Sequence, residues 1–228
     1  MKTGADWQSI AREQRRFFGG VSAAISHEIN NRFAVINEKA GLLQDLAGML
    51  AQGREVDPER IQLQSGKIAE QVRLAKRVVG NLNRFAHSVD VEHTEIDVAE
   101  LTGFVAALYA RKAEMADVNL TVTESSEGTT VTTSPFALET LIGRGIEIAL
   151  LKTGTSGTVA IEALGTAEGV RWRYCGLEDV IEPIELPEGS EVAALLEGLG
   201  AAFSAEADGT ALLLDIPDDR RSPHGRTA

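Results

Sequence analysis

Residues 24–36 read Ala-Ile-Ser-His-Glu-Ile-Asn-Asn-Arg-Phe-Ala-Val-Ile, a stretch without Pro or Gly. With about 100° of rotation per residue, the apolar side chains in and around it fall within a sector roughly 80° wide. His27 lies about 170° from the middle of that sector, so a helix here directs its imidazole at solvent. Asn31 follows one turn later on the same face, and Glu28 lies on the flank. This outward imidazole has no packing role, although a lone exposed histidine is most often an ordinary surface residue.

Residues 27–36, the His box, resemble the phosphoacceptor box of sensor histidine kinases and of the dimeric histidine phosphotransferases derived from them. That box commonly reads His-Glu-hydrophobic-Asn-Asn-Pro-hydrophobic-Ala-hydrophobic-Ile, and the chain departs from it clearly at one position, where Arg replaces Pro. The resemblance implies that His27 is the phosphoacceptor, that Glu28 orients the ring or accepts its other proton, and that Asn31 positions a phosphoryl oxygen or a water. Two further residues are candidates for contacting the phosphoryl group or the partner, namely Asn30 and Arg32.

Length and composition set the outer limits. The 228 residues give room for one large or two small domains, and 43% hydrophobic with 25% charged residues is typical of a soluble globular protein. No apolar run approaches the length that spans a bilayer, and Lys2 is followed by polar residues, not by the apolar core of a signal peptide. The single cysteine, Cys175, excludes an internal disulfide and a cysteine metal cluster. We therefore expect a cytoplasmic protein without membrane association.

Charge is divided unevenly along the chain. Residues 1–90 carry 13 Lys+Arg against 10 Asp+Glu, whereas the remaining residues carry 9 against 24. Nucleic-acid binding depends on basic side chains that release counterions from phosphates, so this acidic balance predicts no nucleic-acid partner. Around His27 the balance is reversed, which favours a phosphoryl group or an acidic partner. The basic residues predicted there are Arg32, Lys39, Arg73, Lys76, Arg77 and Arg84.

Two long amphipathic helices are predicted for the first part of the chain. The first covers about residues 6–49, with the Gly-Gly pair at residues 19–20 as a flexible point ahead of the His box. After a short loop, Asp57 supplies the N-cap and Pro58 the first position of a second helix that ends near Ala86. The apolar stripes include Phe33 on the first helix and Val72 and Val79 on the second. Two such helices form an antiparallel hairpin.

A lone helical hairpin cannot cover both of its apolar stripes. A twofold partner solves this, so we expect a homodimer whose two chains form an all-α four-helix bundle. The dimerisation domain of histidine kinases has this architecture, and residues 73–86 resemble the second helix of that family. Residues 1–90 are accordingly predicted to form the dimerisation and phosphoacceptor domain.

The part of the chain after a polar linker at residues 91–95 alternates between helix and strand patterns. Helices are predicted for residues 97–115, with Asp97 as the cap, and for residues 136–151 and 190–199. Strands, paired in order as hairpins, are predicted for residues 118–123, 129–133, 157–164, 169–174, 203–207 and 211–216. This pattern predicts an α+β two-layer sandwich over residues 95–217, followed by a disordered tail at residues 218–228.

The order of these elements resembles the ATP-binding domain of histidine kinases, the Bergerat-type fold. The resemblance implies a magnesium-binding Asn near the middle of the helix at residues 136–151, where this chain has Arg144 and Ile148. The adenine-binding Asp-x-Gly-x-Gly is absent after the strand that holds Trp172, and residues 178–188 are too few for an ATP lid. With few basic residues and no cradle for a triphosphate, we expect a degenerate ATPase domain that binds no nucleotide, cofactor or metal.

These observations predict a histidine phosphotransferase with a kinase-like architecture. In this hypothesis His27 takes a phosphoryl group from the Asp of one receiver domain and passes it to the Asp of another, with Mg²⁺ supplied by the receiver. The expected partners are receiver domains of response regulators, including that of a hybrid histidine kinase. Three alternatives remain open: a kinase with a diverged nucleotide site, a module that binds a receiver or kinase without transfer, and a dimeric structural element with a vestigial His box.

Overall fold

The computed structural model describes residues 7–123, 128–178, 180, 183–186 and 191–218. Two compact units are present. The hairpin unit consists of Gly20–Ala86, and the α/β unit consists of the described residues up to Gly19 and from His87 onwards. The first residues of the chain therefore group with the α/β unit, whereas the sequence placed all of residues 1–90 in one domain. The reason is packing against distant parts of the chain, because the Phe17 ring lies 5.9 Å from the Phe136 ring and Glu13 pairs with Arg144.

Both predicted long helices are present. Helix α1 is Trp7–Ala51 and helix α2 is Pro58–Ser88. Gly53, with φ of +73°, lies in the connection, where a left-handed backbone favours glycine. The predicted N-cap is confirmed, since the Asp57 carboxylate accepts a hydrogen bond from the backbone N–H of Glu59 at 2.9 Å.

The α/β unit contains three further helices and seven strands among the described residues. The helices are α3 (Val98–Met115), α4 (Pro135–Leu151) and α5 (Val192–Leu199). The strands are β1 (Thr94–Asp97), β2 (Asn119–Val122), β3 (Thr130–Thr133), β4 (Thr158–Gly165), β5 (Gly169–Cys175), β6 (Ala202–Ala205) and β7 (Ala211–Pro217). Local capping explains two starts, because Asp97 caps α3 and Ser134 caps α4 through their side-chain oxygens.

A five-stranded mixed sheet forms the centre of this unit, in the order β2-β4-β5-β7-β6. Helices α3 and α4 are tied to its buried face. Trp172 Nε1 on β5 donates to Thr102 Oγ1 on α3 at 2.8 Å, and Tyr174 Oη donates to the backbone carbonyl of Ile142 on α4 at 3.1 Å. Gly145 lets the two layers approach, because a Cβ there would overlap the Tyr174 ring. The predicted pattern of helices beside a mixed sheet is confirmed.

Two strand predictions are wrong. The predicted hairpin of residues 118–123 with 129–133 does not form, because β2 pairs in parallel with β4 and β3 pairs antiparallel with β1. Strand β1 itself lies partly in what the sequence indicated was a polar linker. Only Ile96 of its four residues is buried, opposite Val131 in the register, so a single apolar residue was the only indication of a strand in this segment. Alternation within a strand does not specify its partner.

The ends of the last predicted elements also differ. Strand β6 ends at Ala205, two residues earlier than predicted, and the predicted start of the last helix at Ser190 lies outside the described residues. Asp218, placed by the sequence in a disordered tail, is 3% exposed and its backbone N–H donates to the Glu168 carbonyl at 3.0 Å. The remainder of that tail, residues 219–228, lies outside the described residues.

Candidate functional site

His27 lies well inside helix α1 of the hairpin unit, and its side chain is exposed. Helical spacing brings Asn31 beside it, with 3.2 Å between Asn31 Nδ2 and His27 Nδ1. The amide donates to Nδ1 when that nitrogen is unprotonated. With the amide turned over, its oxygen accepts from a protonated Nδ1, which leaves the lone pair of Nε2 directed at solvent. The ring is therefore held at one nitrogen and open at the other.

A second pair of predicted site residues meets on the same helix. Arg32 donates from one terminal nitrogen to Glu28 Oε1 at 2.9 Å, and from the other to Gln71 Oε1 on α2 at 3.4 Å. Arg32 Nε is buried and has no hydrogen-bond partner. Both terminal nitrogens of the guanidinium therefore already have a partner, while Nε is shielded from solvent. Asn30 is exposed on the same helix.

The structure therefore joins the predicted residues as two groups, His27 with Asn31 and Glu28 with Arg32. Sequence reasoning missed Gln71, which bonds Arg32 across the helical hairpin. Its signal was weak, because a half-buried Gln beside an apolar stripe is indistinguishable from any polar residue at the edge of that stripe. The i,i+4 spacing of Glu28 and Arg32, by contrast, was readable from the sequence.

Apolar side chains of the hairpin unit remain exposed in the single chain. Phe33, in the His box, is 53% exposed although it belongs to the apolar stripe that the spacing predicts. The same holds on α2, where Val72 and Val79 of the predicted stripe are exposed. Further exposed large apolar side chains of this unit are Leu42, Leu50 and Leu63. One chain alone leaves much of this apolar surface in contact with water.

Helix α4 of the α/β unit lies in a cluster of charged side chains that pair with one another. Arg144 Nε donates to Glu13 Oε1 of α1 at 2.5 Å, and Arg144 also pairs with Glu147 one turn later. Glu147 further accepts from Lys112 at 2.6 Å and from the Tyr109 hydroxyl at 3.2 Å. Arg144 and Ile148 stand at the two α4 positions where the resembling family has a magnesium-binding Asn. The Arg144 guanidinium is paired with two glutamates, and the side chain of Ile148 is buried.

The pKa values that this cluster shifts include those of Tyr109 and Glu147. Burial, together with the nearby Glu147 carboxylate, raises the pKa of Tyr109 well above its usual range. Burial alone would also raise the pKa of Glu147, but the hydrogen bond from Lys112 and the charge of Arg144 outweigh it and lower that pKa. Tyr109 therefore stays a neutral donor, and Glu147 stays ionised as the acceptor for three groups.

Glu13 is the central residue of this cluster that sequence reasoning missed. Its side chain is 0% exposed, and its second oxygen accepts from the backbone N–H of Glu191, the N-cap residue of α5, at 3.1 Å. Glu13 stands 131 residues from Arg144, so no local spacing could have indicated the pair.

Along the described residues, no helix combines the length and the apolar character needed to cross a membrane.

No family model and no curated protein matches the chain. Among solved structures it is similar to the catalytic domain of histidine kinase ThkA, with a TM-score of 0.47 and 16% identity over 56% of this chain and 97% of that one. Histidine kinase AdeS of Acinetobacter baumannii matches with a TM-score of 0.42 and 14% identity over 79% of this chain and 95% of that one.

A structure of ThkA in complex with response regulator protein TrrA matches with a TM-score of 0.44 and 17% identity over 94% of this chain and 66% of that one. Each of these TM-scores is below 0.5 and each identity is below 25%, so these similarities by themselves establish no function for the chain.

Proposed function

We propose that the protein is a histidine phosphotransferase that relays a phosphoryl group between receiver-domain aspartates through His27. The observation that carries the proposal is the exposed His27 imidazole, held at Nδ1 by Asn31 within a His box that resembles a phosphoacceptor box. A neutral imidazole is a competent nucleophile near physiological pH. A side chain with one nitrogen fixed and the other facing solvent is suited to attack a group presented by a second protein.

The chemistry of the proposed transfer can be written at the ring. The Nε2 lone pair attacks the phosphorus of an aspartyl phosphate, the N–P bond forms, and the P–O bond to the aspartate breaks to release a carboxylate. The proton on Nδ1 then leaves or is shared with Asn31 or with the neighbouring Glu28. Transfer to a second receiver reverses these steps. Mg²⁺ is supplied by the acidic pocket of the receiver, and the chain contributes no cofactor of its own.

The positive charge of Arg32 supports the same proposal. Its positive charge, its part-exposed side chain and its position in the His box make it a candidate for contacting the phosphoryl group or an acidic face of the receiver. Asn30, exposed on the same helix, is a candidate for the same surface. In the free chain Arg32 is paired with Glu28 at 2.9 Å, so an incoming anion competes with the Glu28 carboxylate for the guanidinium.

The α/β unit enters the proposal as a domain that does not bind nucleotide. Phosphate binding requires free cations, Mg²⁺ ligands or open backbone N–H groups. On α4 the guanidinium of Arg144 is already paired with Glu13 and Glu147, and Ile148 offers no ligand atom. We therefore propose that the phosphoryl group arrives from a receiver and not from ATP.

A second copy of this chain is the proposed partner of the exposed apolar stripe. Phe33, Val72 and Val79 lie on the stripes that helical spacing predicts for α1 and α2. Pairing two hairpin units about a twofold axis buries these side chains from both chains at once. The proposed assembly is a dimeric four-helix bundle with two outward-facing His27 side chains.

The test is transfer from receiver domains that carry radiolabelled aspartyl phosphate. Wild-type protein is expected to gain label that is labile in acid and stable in base, and His27→Gln is expected to gain none. His87→Gln is the matched control, because His87 is also exposed and has a polar neighbour, Asp90, at 3.4 Å. That variant is expected to accept label as the wild type does.

The remaining outcomes separate the alternatives. Label acquired from ATP alone would establish a diverged kinase in place of a phosphotransferase. A receiver that binds tightly to both wild type and His27→Gln, without label on either, would establish a binding module. No label and no binding with a broad set of receivers would overturn the proposed function.

A further inference from the structure

Helix α1 contains a Gly-Gly pair that packing does not require. Gly19 and Gly20 lie inside the helix, and a Cβ added at either position would meet no atom within 4 Å. Neither glycine has a positive φ. In a helix each glycine favours the non-helical state about fivefold relative to alanine. The pair therefore weakens the helix at this point without a compensating contact.

The pair coincides with the boundary between the two units. Gly19 is the last residue of the α/β unit in this part of the chain, and Gly20 is the first of the hairpin unit. The other glycines of α1, Gly41 and Gly48, lie inside the hairpin unit. A weak point in a helix at the border of two compact units has the character of a hinge.

The segment before the hinge, residues 7–18 (the N-terminal arm), is firmly attached to the α/β unit. The Phe17 and Phe136 ring centroids are 5.9 Å apart, and a Cβ at Gly143 would lie 2.8 Å from the Phe17 ring. Glu13 adds a polar attachment, since its two oxygens accept from Arg144 and from the backbone of Glu191. Separating the arm from α4 would leave the buried charges of this ion pair uncompensated, so the pair holds the arm against α4.

The second crossing between the units has a matching attachment. It falls at His87, in the last turn of α2, where helix ends fray. One residue later the Ser88 hydroxyl donates to Glu139 at 2.7 Å, and both residues are buried. Glu139 lies on α4, the helix that also holds Arg144. Helix α4 thus anchors both segments that lead to the hairpin unit.

We propose that Gly19–Gly20 is a hinge about which the α/β unit, with the N-terminal arm attached to α4, moves as one body relative to the hairpin unit. The motion regulates phosphoryl transfer at His27, and this regulatory part rests on the proposed function. Glu13 and Ser88 act as attachment points that make the arm and the end of α2 follow α4. The α/β unit, with its α4 charges paired internally, then has a mechanical role.

Hydrogen exchange of the full chain tests the hinge without reference to activity. The amides of residues 20–24 form helical bonds that span the glycines, and they are expected to exchange at least about tenfold faster than those of residues 28–32. In Gly19→Ala/Gly20→Ala these amides are expected to slow about 25-fold, the product of two fivefold effects. Gly41→Ala/Gly48→Ala is the matched control, with the same two substitutions in the same helix, and leaves them unchanged.

The outcomes separate the hinge from the proposed function. Amides 20–24 that are as protected as residues 28–32 in the wild type would overturn the hinge. Slowed exchange in Gly19→Ala/Gly20→Ala with an unchanged rate of phosphoryl transfer would overturn its regulatory role, and a several-fold change in that rate would support it. A wild-type protein that accepts no phosphoryl group would refute the proposed function, while the exchange comparison would still decide the hinge.

Discussion

Arg32 and Arg144 each extend from a helix to a glutamate, and the pairs Arg32–Glu28 and Arg144–Glu13 differ in burial and in sequence separation. In the hairpin unit, Arg32 donates to Glu28 on the same helix at 2.9 Å, and 32% of its side chain is exposed. In the α/β unit, the Arg144 side chain is 9% exposed and donates at 2.5 Å to Glu13, which lies on a different helix. The Arg32–Glu28 pair joins neighbouring turns of one helix and is partly exposed, whereas the Arg144–Glu13 pair joins residues far apart in sequence and is buried.

This difference shows how the two units use charge. The hairpin unit keeps the His27 imidazole at the surface and leaves the Arg32–Glu28 pair partly exposed, so these polar groups are available to an incoming protein. Around α4 the charged groups are engaged with one another and thereby fix helices in place. Chemistry is therefore expected in the hairpin unit, and structural work in the α/β unit.

The two glutamates give the sharpest test of this contrast. Glu13→Ala leaves Arg144 buried with one partner lost, and this is expected to cost about 3–5 kcal/mol of unfolding free energy. Glu28→Ala breaks a part-exposed i,i+4 pair and is expected to cost less than about 1 kcal/mol. Urea denaturation of both variants measures the difference. Equal losses of unfolding free energy in the two variants would mean that burial does not distinguish the contributions of the two pairs.

Two glycines probe how tightly the α/β unit is packed. Gly145→Ala places a Cβ against the Tyr174 ring between α4 and β5, and this overpacking is expected to cost about 1–3 kcal/mol. Gly103→Ala on the exposed side of α3 meets no atom within 4 Å, so it is expected to gain up to about 1 kcal/mol from helix propensity. Thermal unfolding of the two variants should shift in opposite directions. A neutral Gly145→Ala would mean that the interface between helix and sheet yields easily.

The apolar stripe of the hairpin unit is expected to respond through assembly. Phe33→Ser removes a 53% exposed aromatic side chain from the proposed dimer interface, and we expect the dissociation constant to rise about tenfold or more. Leu151→Ser on α4 is the control, since Leu151 is 78% exposed and lies outside the hairpin unit. Analytical ultracentrifugation over a range of concentrations compares the two. A wild-type protein that is monomeric at every concentration would contradict the dimer.

A smaller effect concerns pH and the α4 cluster. The pKa of Glu147 is lowered below its ordinary value of 4.5, so the folded state binds fewer protons there than the unfolded state. The stability that this ionised carboxylate contributes is present above that ordinary value and is lost as the pH falls through the folded-state pKa. The gap in unfolding free energy between wild type and Glu147→Gln should therefore narrow on acidification below about pH 4.5. A gap that widened would contradict the assigned direction.

Local features of this fold could be predicted from the sequence because short-range physics determines them. Asp57 and Asp97 each cap a helix through a contact two or three residues away, and both were predicted. The outward position of His27 follows from helical periodicity, and the pairing of Glu28 with Arg32 follows from their spacing. The residues of the candidate site on α1 were singled out by the resemblance of the His box, and periodicity indicated only which of them face solvent.

Long-range pairing could not be predicted in the same way. Strand β2 alternates as a strand should, yet nothing within it favours β4 in parallel over β3 as a hairpin mate. The contact of Glu13 with Arg144 joins residues 131 positions apart, and Gln71 reaches Arg32 only because the hairpin folds back. These contacts depend on which elements meet, which a single sequence does not encode at any fixed spacing.

The most direct measurement is the location of the phosphoryl group after wild-type protein is mixed with a phosphorylated receiver domain. Peptide mass spectrometry under neutral to basic conditions preserves a phosphoramidate and assigns it to a residue. We predict one phosphoryl group on His27, with His87 and His93 unmodified. A phosphoryl group on either of those histidines, or an unmodified chain beside a receiver that has lost its phosphate, would contradict the account.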